Sequence, residues 1–135
     1  MTPHTRTDDR KMACMGGAYG NVPGLKACLA DAQNQGCTGI AFLGDATGCC
    51  GHSDETLTIL RHHVDWFVAG NHEQEAIAGS TSCGCGYASE KDEKLGCEAH
   101  AFAMQSLSAS SRDWLATWPH QQRLETPGGP ILLCH

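Results

Sequence analysis

The sequence predicts an α/β domain with a mostly parallel sheet covered on its faces. Short apolar runs at KMAC (11–14), GIAFLGD (39–45) and residues 64–69 alternate with stretches of helical spacing. Strand, helix, strand, helix, strand in this rhythm marks a parallel sheet shielded by helices. The length, 135 residues and 14.4 kDa, is that of one domain. At this size a chain buries about two thirds of its unfolded surface without metal or disulfide staples.

Each element has a local reason. Residues 1–10 are polar and contain Pro3, which predicts a disordered leader ahead of a domain over 11–135. The first strand, expected over Ala13 to Met15, runs into the turn-forming GGAYGN (16–21). Pro23 suits a first helical turn, and Leu25, Cys28, Leu29 and Ala32 then share one face until Gly36 stops the helix. Ile40 to Leu43 is a buried strand ending at Asp45, and Ser53 caps a helix that sends Leu57, Leu60 and Ile59 toward a core. Val64 to Val68 is the next strand, closed by GNHE (70–73). The segment 79–96 (GSTSCGCGYASEKDEKLG) has no apolar period and is expected to be a long flexible excursion. Helical spacing returns from Cys97 to Leu107, and Ser110 or Ser111 is placed to cap a short helix carrying Trp114, Leu115 and Trp118. After PGGP (127–130), Ile131 to Cys134 forms a buried strand that stops at His135. An end on such a strand is expected of an incomplete domain.

Composition narrows the function. Nine basic and fifteen acidic side chains give a net charge of −6 and a pI near 5.7, which disfavours a general nucleic-acid surface or an anionic membrane. No apolar run reaches the ~18 residues of a membrane span, and MTPHTRTDDRK lacks the apolar centre of a signal peptide, so a cytoplasmic location is expected. Nine cysteines are an odd count for a disulfide framework, and those in MACM and ILLC are expected to be small core residues.

The informative pattern is positional. Asp45 follows AFLG, Asn71 and His72 follow FVAG, and His135 follows ILLC. Ligands of open α/β sheets gather beyond the carboxyl ends of strands, where these side chains converge. Carboxylate, amide oxygen and imidazole suit Mn, Fe, Zn or Mg. The competing account is that Asp45 and Asn71 close turns and His72 caps a helix.

GGAYGNVPGLKACLADA, FLGDATG, VAGNHE and HQQRLETPGGPILLCH resemble, in order, the blocks of the calcineurin-like metallophosphoesterases, particularly small bacterial members. The resemblance implies a sandwich of two β-sheets flanked by helices, a two-metal site at the strand ends, and hydrolysis of a phosphorylated small molecule or a phosphodiester. It makes Asp45 the carboxylate that bridges both metals and Asn71 and His135 further metal ligands. His72 becomes the catalytic histidine beside the phosphoryl group. The opening Asp-x-His-Gly-Asn motif departs from the pattern, with Gly17 at the Asp position and Tyr19 at the His position. The later Gly-x-His block does not occur before residue 135. Neither glycine nor a neutral phenol replaces those ligands. The expectation is one divalent ion or none, and a choice between a metal-dependent hydrolase and a non-catalytic relative acting as a binding domain.

Other groups leave alternatives open. Cys83, Cys85, Cys97 and His100 make either a tetrahedral zinc site or free thiols in the excursion. Gly16, Gly17 and Gly20 match neither dinucleotide nor P-loop fingerprints and read as turn glycines. His62 and His63 read as surface or capping residues, and Trp114 with Trp118 as a core stripe.

Overall fold

A computed structural model describes residues 5–6 and 11–135. The leader expected over 1–10 otherwise lies outside the described residues; Thr5–Arg6 form strand β1. The remaining elements are β2 (Met12–Met15), α1 (Val22–Asn34), β3 (Gly39–Phe42), α2 (Ser53–His63), β4 (Trp66–Phe67), α3 (Asn71–Ala78), α4 (Glu90–Gln105), α5 (Ala109–Leu115), β5 (Gln121–Thr126) and β6 (Gly129–Cys134).

The strands form two sheets. One is all parallel, in the order β2-β3-β4, as the strand–helix rhythm requires. The other has the order β1-β5-β6, with β1 parallel to β5 and β5 antiparallel to β6. Side-chain alternation along the central strand sorts the core. Phe42, with Ile40 beside it, packs with Leu25, Leu29, Leu57, Leu60, Leu115 and Trp118 from the helices. Ala41 points the other way and joins Trp66 and Val68 to Leu124 and Leu133 of the second sheet. A β-sandwich with helices on the outer face of one sheet is the result. Trp114 and Trp118 both pack on Phe67, with ring centroids 5.2 and 4.7 Å away.

Several elements differ from expectation for physical reasons. Cys28 is exposed, and the buried face of α1 is Val22, Leu25, Leu29 and Ala32. Cys14 and Cys134, expected in the core, are exposed as well. β4 is shorter than its apolar run, and at its start the Asp65 side chain takes the Ile40 N–H at 2.9 Å in place of a backbone carbonyl. α2 begins at Ser53, whose hydroxyl turns inward to donate to the Ala103 carbonyl at 2.8 Å instead of capping. The cap of α5 is Ser108, accepting from the Ser111 N–H, and not Ser110 or Ser111. β5 carries one fully buried residue, Leu124, so its apolar pattern is silent and its hairpin partner defines it. β6 is less buried than expected, with Leu132 57% exposed. The segment 79–96 is partly helical: Ser89 caps α4, and Glu90, Asp92 and Glu93 sit at the positive end of its dipole. Among the described residues no helix is long and apolar enough to cross a membrane.

Candidate active site

Two loops carry the site, one leaving β3 and one leaving β4. They touch backbone to backbone. Gly44 sits at φ +96°, and a Cβ there would lie 2.5 Å from the Gly70 nitrogen and 2.9 Å from His135 Nδ1. Only glycine fits. Asp45 follows at φ 62°, and Tyr19 sits at φ 50°; among the described residues these are the non-glycine positions with positive φ. The two are partners, since Tyr19 Oη donates to Asp45 Oδ2 at 3.1 Å. Backbone strain of this kind persists only where surrounding bonds over-determine it.

Glu73 is the residue that over-determines it. Its side chain is fully buried, and its carboxylate accepts the backbone N–H groups of Asp45 (2.7 Å), Ala46 (2.8 Å) and Gly70 (2.8 Å). Burial pushes its pKa up, opposed by these three donors. Sequence reasoning gave Glu73 no role. The available signal was its place in the first turn of α3, three residues after Gly70, where a side chain reaches back to the cap N–H.

On this frame three donors meet. Asn71 Nδ2 donates to the Cys83 carbonyl at 2.6 Å, which aims Oδ1 at His135 Nε2, 3.2 Å away. His135 Nδ1 is 2.7 Å from the Leu43 carbonyl and must donate to it, because a carbonyl only accepts. In the neutral ring Nε2 is then a lone pair, and it faces Asp45 Oδ2 at 3.5 Å as well. His135 Nε2 thus faces two oxygens, Asn71 Oδ1 and Asp45 Oδ2, an arrangement that either a proton on Nε2 or a cation between the nitrogen and the oxygens satisfies.

His72 is oriented differently. Its backbone N–H donates to Asp45 Oδ1 at 3.3 Å, but its ring Nε2 lies 3.5 Å from Cys85 Sγ, and Nδ1 has no partner among the described residues. Burial lowers its pKa, with Asp45 opposing, so the imidazole is neutral near pH 7. The Tyr19 ring stands edge-on to it at 5.3 Å. Burial, the Asp45 charge and their hydrogen bond raise the Tyr19 pKa, keeping the phenol protonated.

No family model and no curated protein sequence matches the chain. Solved structures do. A metallophosphoesterase from Sphaerobacter thermophilus aligns with a TM-score of 0.64 and 23% identity over 84% of this chain and 42% of that one. A protein named as a "putative diadenosine tetraphosphatase" aligns with a TM-score of 0.66 and 18% identity over 97% and 53% of the two chains. A hypothetical protein from Pyrococcus horikoshii OT3 aligns with a TM-score of 0.64 and 16% identity over 90% and 52%. The fold is that of the metallophosphoesterases. The chain spans about half the length of these structures.

Within this metallophosphoesterase fold the donors suit one hard cation. Asp45 Oδ2, Asn71 Oδ1 and His135 Nε2 are spaced as neighbouring ligands of a single ion, and the Nδ1–H bond to Leu43 fixes the ring as metal-bound histidines are usually fixed. A second ion does not fit the residues present. The Tyr19 O–H donates a hydrogen bond to Asp45 Oδ2, occupying a lone pair a second ion would use, and Gly17 has no side-chain ligand. Cys97 and His100 do not join Cys83 and Cys85: the close group is His72, Cys83 and Cys85, while His100 Nε2 sits 3.0 Å from the Ser80 carbonyl.

Proposed function

We propose that this protein is a phosphoester-binding domain of metallophosphoesterase type, built on one divalent cation held by Asp45, Asn71 and His135. The approach of Asn71 Oδ1 and Asp45 Oδ2 to His135 Nε2, at 3.2 and 3.5 Å, carries this reading. The cation, Mn, Fe, Zn or Mg, would act as a Lewis acid toward a phosphoryl oxygen. The ligand class is a phosphorylated small molecule or a phosphodiester, in keeping with the phosphoesterase names of structures sharing the fold.

The chain's own groups define what it does with such a ligand. Asp45 supplies charge, Asn71 a neutral oxygen, and His135 a nitrogen oriented by Leu43. His72 is the catalytic candidate beside the phosphoryl group. As a neutral ring it offers a single N–H, and its Nε2 lies 3.5 Å from Cys85 Sγ. Tyr19 holds Asp45 Oδ2 by a hydrogen bond and cannot serve as an anionic ligand while protonated. In the two-metal form of this hydrolysis a second set of ligands helps to hold the attacking and leaving oxygens. With Gly17 and Tyr19 in those places, binding without turnover is the reading for this chain by itself.

The test is an aryl phosphate and an aryl phosphodiester assayed with excess Mn²⁺, comparing the unmodified chain with His72→Ala. Negligible hydrolysis by both, together with Mn²⁺-dependent retention of inorganic phosphate, is expected. Robust Mn²⁺-dependent turnover that disappears in His72→Ala would overturn binding without turnover and make the chain a working hydrolase.

A further inference from the structure

The turn at residues 83–85 brings two sulfurs and a ring nitrogen together. Cys83 Sγ, Cys85 Sγ and a His72 ring nitrogen lie within 4.8 Å of one another, with Cys85 Sγ 3.5 Å from His72 Nε2. A thiolate at about 2.3 Å and an imidazole at about 2.0–2.1 Å from a tetrahedral zinc ion are themselves about 3.5 Å apart. The Cys85–His72 spacing already matches that value, and the other pairs, within 4.8 Å, would close by at most about 1 Å around such an ion.

The surroundings fit thiolates. The Tyr87 hydroxyl is 2.9 Å from Cys83 Sγ, and Asn71 Nδ2 lies 3.4 Å from Cys85 Sγ. Hydrogen-bond donors aimed at ligating sulfurs tune and orient them. Cys83 is buried and Cys85 half-buried, so the cluster is open on one side. A catalytic-type zinc site has this form, with three protein ligands and one position left to water or ligand.

The three donors also join two unlike segments. His72 belongs to the first turn of α3, whereas Cys83 and Cys85 lie in a stretch that, over 81–88, makes no backbone–backbone hydrogen bonds among the described residues. Side chains alone tie that stretch to the helix, and an ion here would complete the tie.

We propose that His72, Cys83 and Cys85 form a binding site for a soft divalent cation of the zinc class, separate from the oxygen-rich group of Asp45, Asn71 and His135. Ligand softness sorts the two: thiolates select zinc, whereas carboxylate and amide oxygen suit Mn or Mg. The site rests on its own geometry and does not require the phosphoester reading. Its occupancy has a consequence for that reading, because a zinc-bound His72 stays on the Cys85 side and is withdrawn from any phosphoryl group.

Cobalt(II), a spectroscopic stand-in for zinc, tests this on the full chain under reducing, oxygen-free conditions. One equivalent should give thiolate-to-cobalt charge-transfer absorption that zinc abolishes. Cys83→Ser and Cys85→Ser should each cut that absorption by about half or more, while His135→Gln, which removes a ligand of the oxygen-rich group and none of the sulfur site, should leave it intact. A second readout needs no variant. On the unmodified protein, zinc should slow alkylation of Cys85 at least tenfold, measured peptide by peptide, and leave exposed Cys14, Cys49 and Cys134 unchanged. No charge-transfer band, a band of equal intensity in the folded Cys83→Ser/Cys85→Ser variant, or unprotected Cys85 would each overturn the proposal. Loss of Mn²⁺ binding in His135→Gln with the cobalt band retained would separate the two sites.

Discussion

The two loops that carry Asp45 and Asn71 and the stretch that carries Cys83 and Cys85 lie side by side, yet they are held in different ways. The first pair is fixed at its backbone, with the Gly17, Tyr19 and Gly20 N–H groups donating to the Gly44, Asp45 and Ala46 carbonyls. Three N–H groups converge on the buried Glu73 carboxylate, and the loops run directly out of a parallel ladder. The second is fixed by side chains: Asn71 on the Cys83 carbonyl, Tyr87 on Cys83, and Ser80 and Ser82 hydroxyls on the amides of Ser82 and Gly84. Backbone anchoring gives geometry that persists without a ligand, as strained Asp45 demands. Side-chain anchoring gives a donor set that a ligand is needed to hold.

The sharpest way to break this contrast is Glu73→Ala. It strands three buried N–H groups, each costing about 1–3 kcal/mol, so a loss on the order of 3 kcal/mol or more is expected in denaturant unfolding. A loss under about 1 kcal/mol would mean that the loops do not depend on Glu73. Cys85→Ser should cost far less, since Cys85 is only half-buried and its stretch lacks a backbone network.

Hydrogen exchange sharpens the same contrast amide by amide. The N–H groups of Asp45, Ala46 and Gly70 should exchange only in large openings, whereas amides over 81–88 should exchange fast in the metal-free chain. Added zinc should slow the second set and leave the first unchanged. Equal protection of both sets without metal would erase the distinction.

Much of the first region was legible in the sequence. GD and GNHE stand at the ends of apolar runs, and the unbroken apolar run over Gly39–Phe42 reads as a strand buried on both faces, as Ala41 and Phe42 in separate clusters bear out. The second region was read only in part. Cys83 and Cys85 stood out by spacing, but their neighbour is His72, eleven residues before Cys83, and not Cys97 or His100. Sequence proximity favoured the wrong histidine because α4 starts at Glu90 and carries His100 toward Ser80. Glu73 was missed because a buried carboxylate bonded to backbone leaves no apolar pattern. β5 was missed for the same reason, with Leu124 its one buried residue.

Smaller effects probe the edge of the oxygen-rich group. Tyr19→Phe removes the hydrogen bond on Asp45 Oδ2 and should tighten Mn²⁺ binding by about twofold to tenfold, the equivalent of 0.5–1.5 kcal/mol; weaker binding would show that the phenol orients the carboxylate instead. Gly17→Asp alone should destabilise the fold, because Gly17 sits at φ +68° and a Cβ would lie 2.9 Å from Tyr19 Cε2. Paired with Tyr19→His, the collision is removed and stability should partly return in thermal melts. Smallest of all, Arg61→Ala on the outer face of α2 gives up a guanidinium 4.3 Å above the Trp114 ring and should cost about 0.5–1 kcal/mol, with no change in metal binding.

The most direct test of the one-cation account is Mn²⁺ titration of the full chain, read as free Mn²⁺ by electron paramagnetic resonance. The account predicts one bound Mn²⁺ per chain, weakened at least about tenfold by Asp45→Asn and by His135→Gln. Two bound ions per chain, or one ion whose affinity is indifferent to both substitutions, would contradict it.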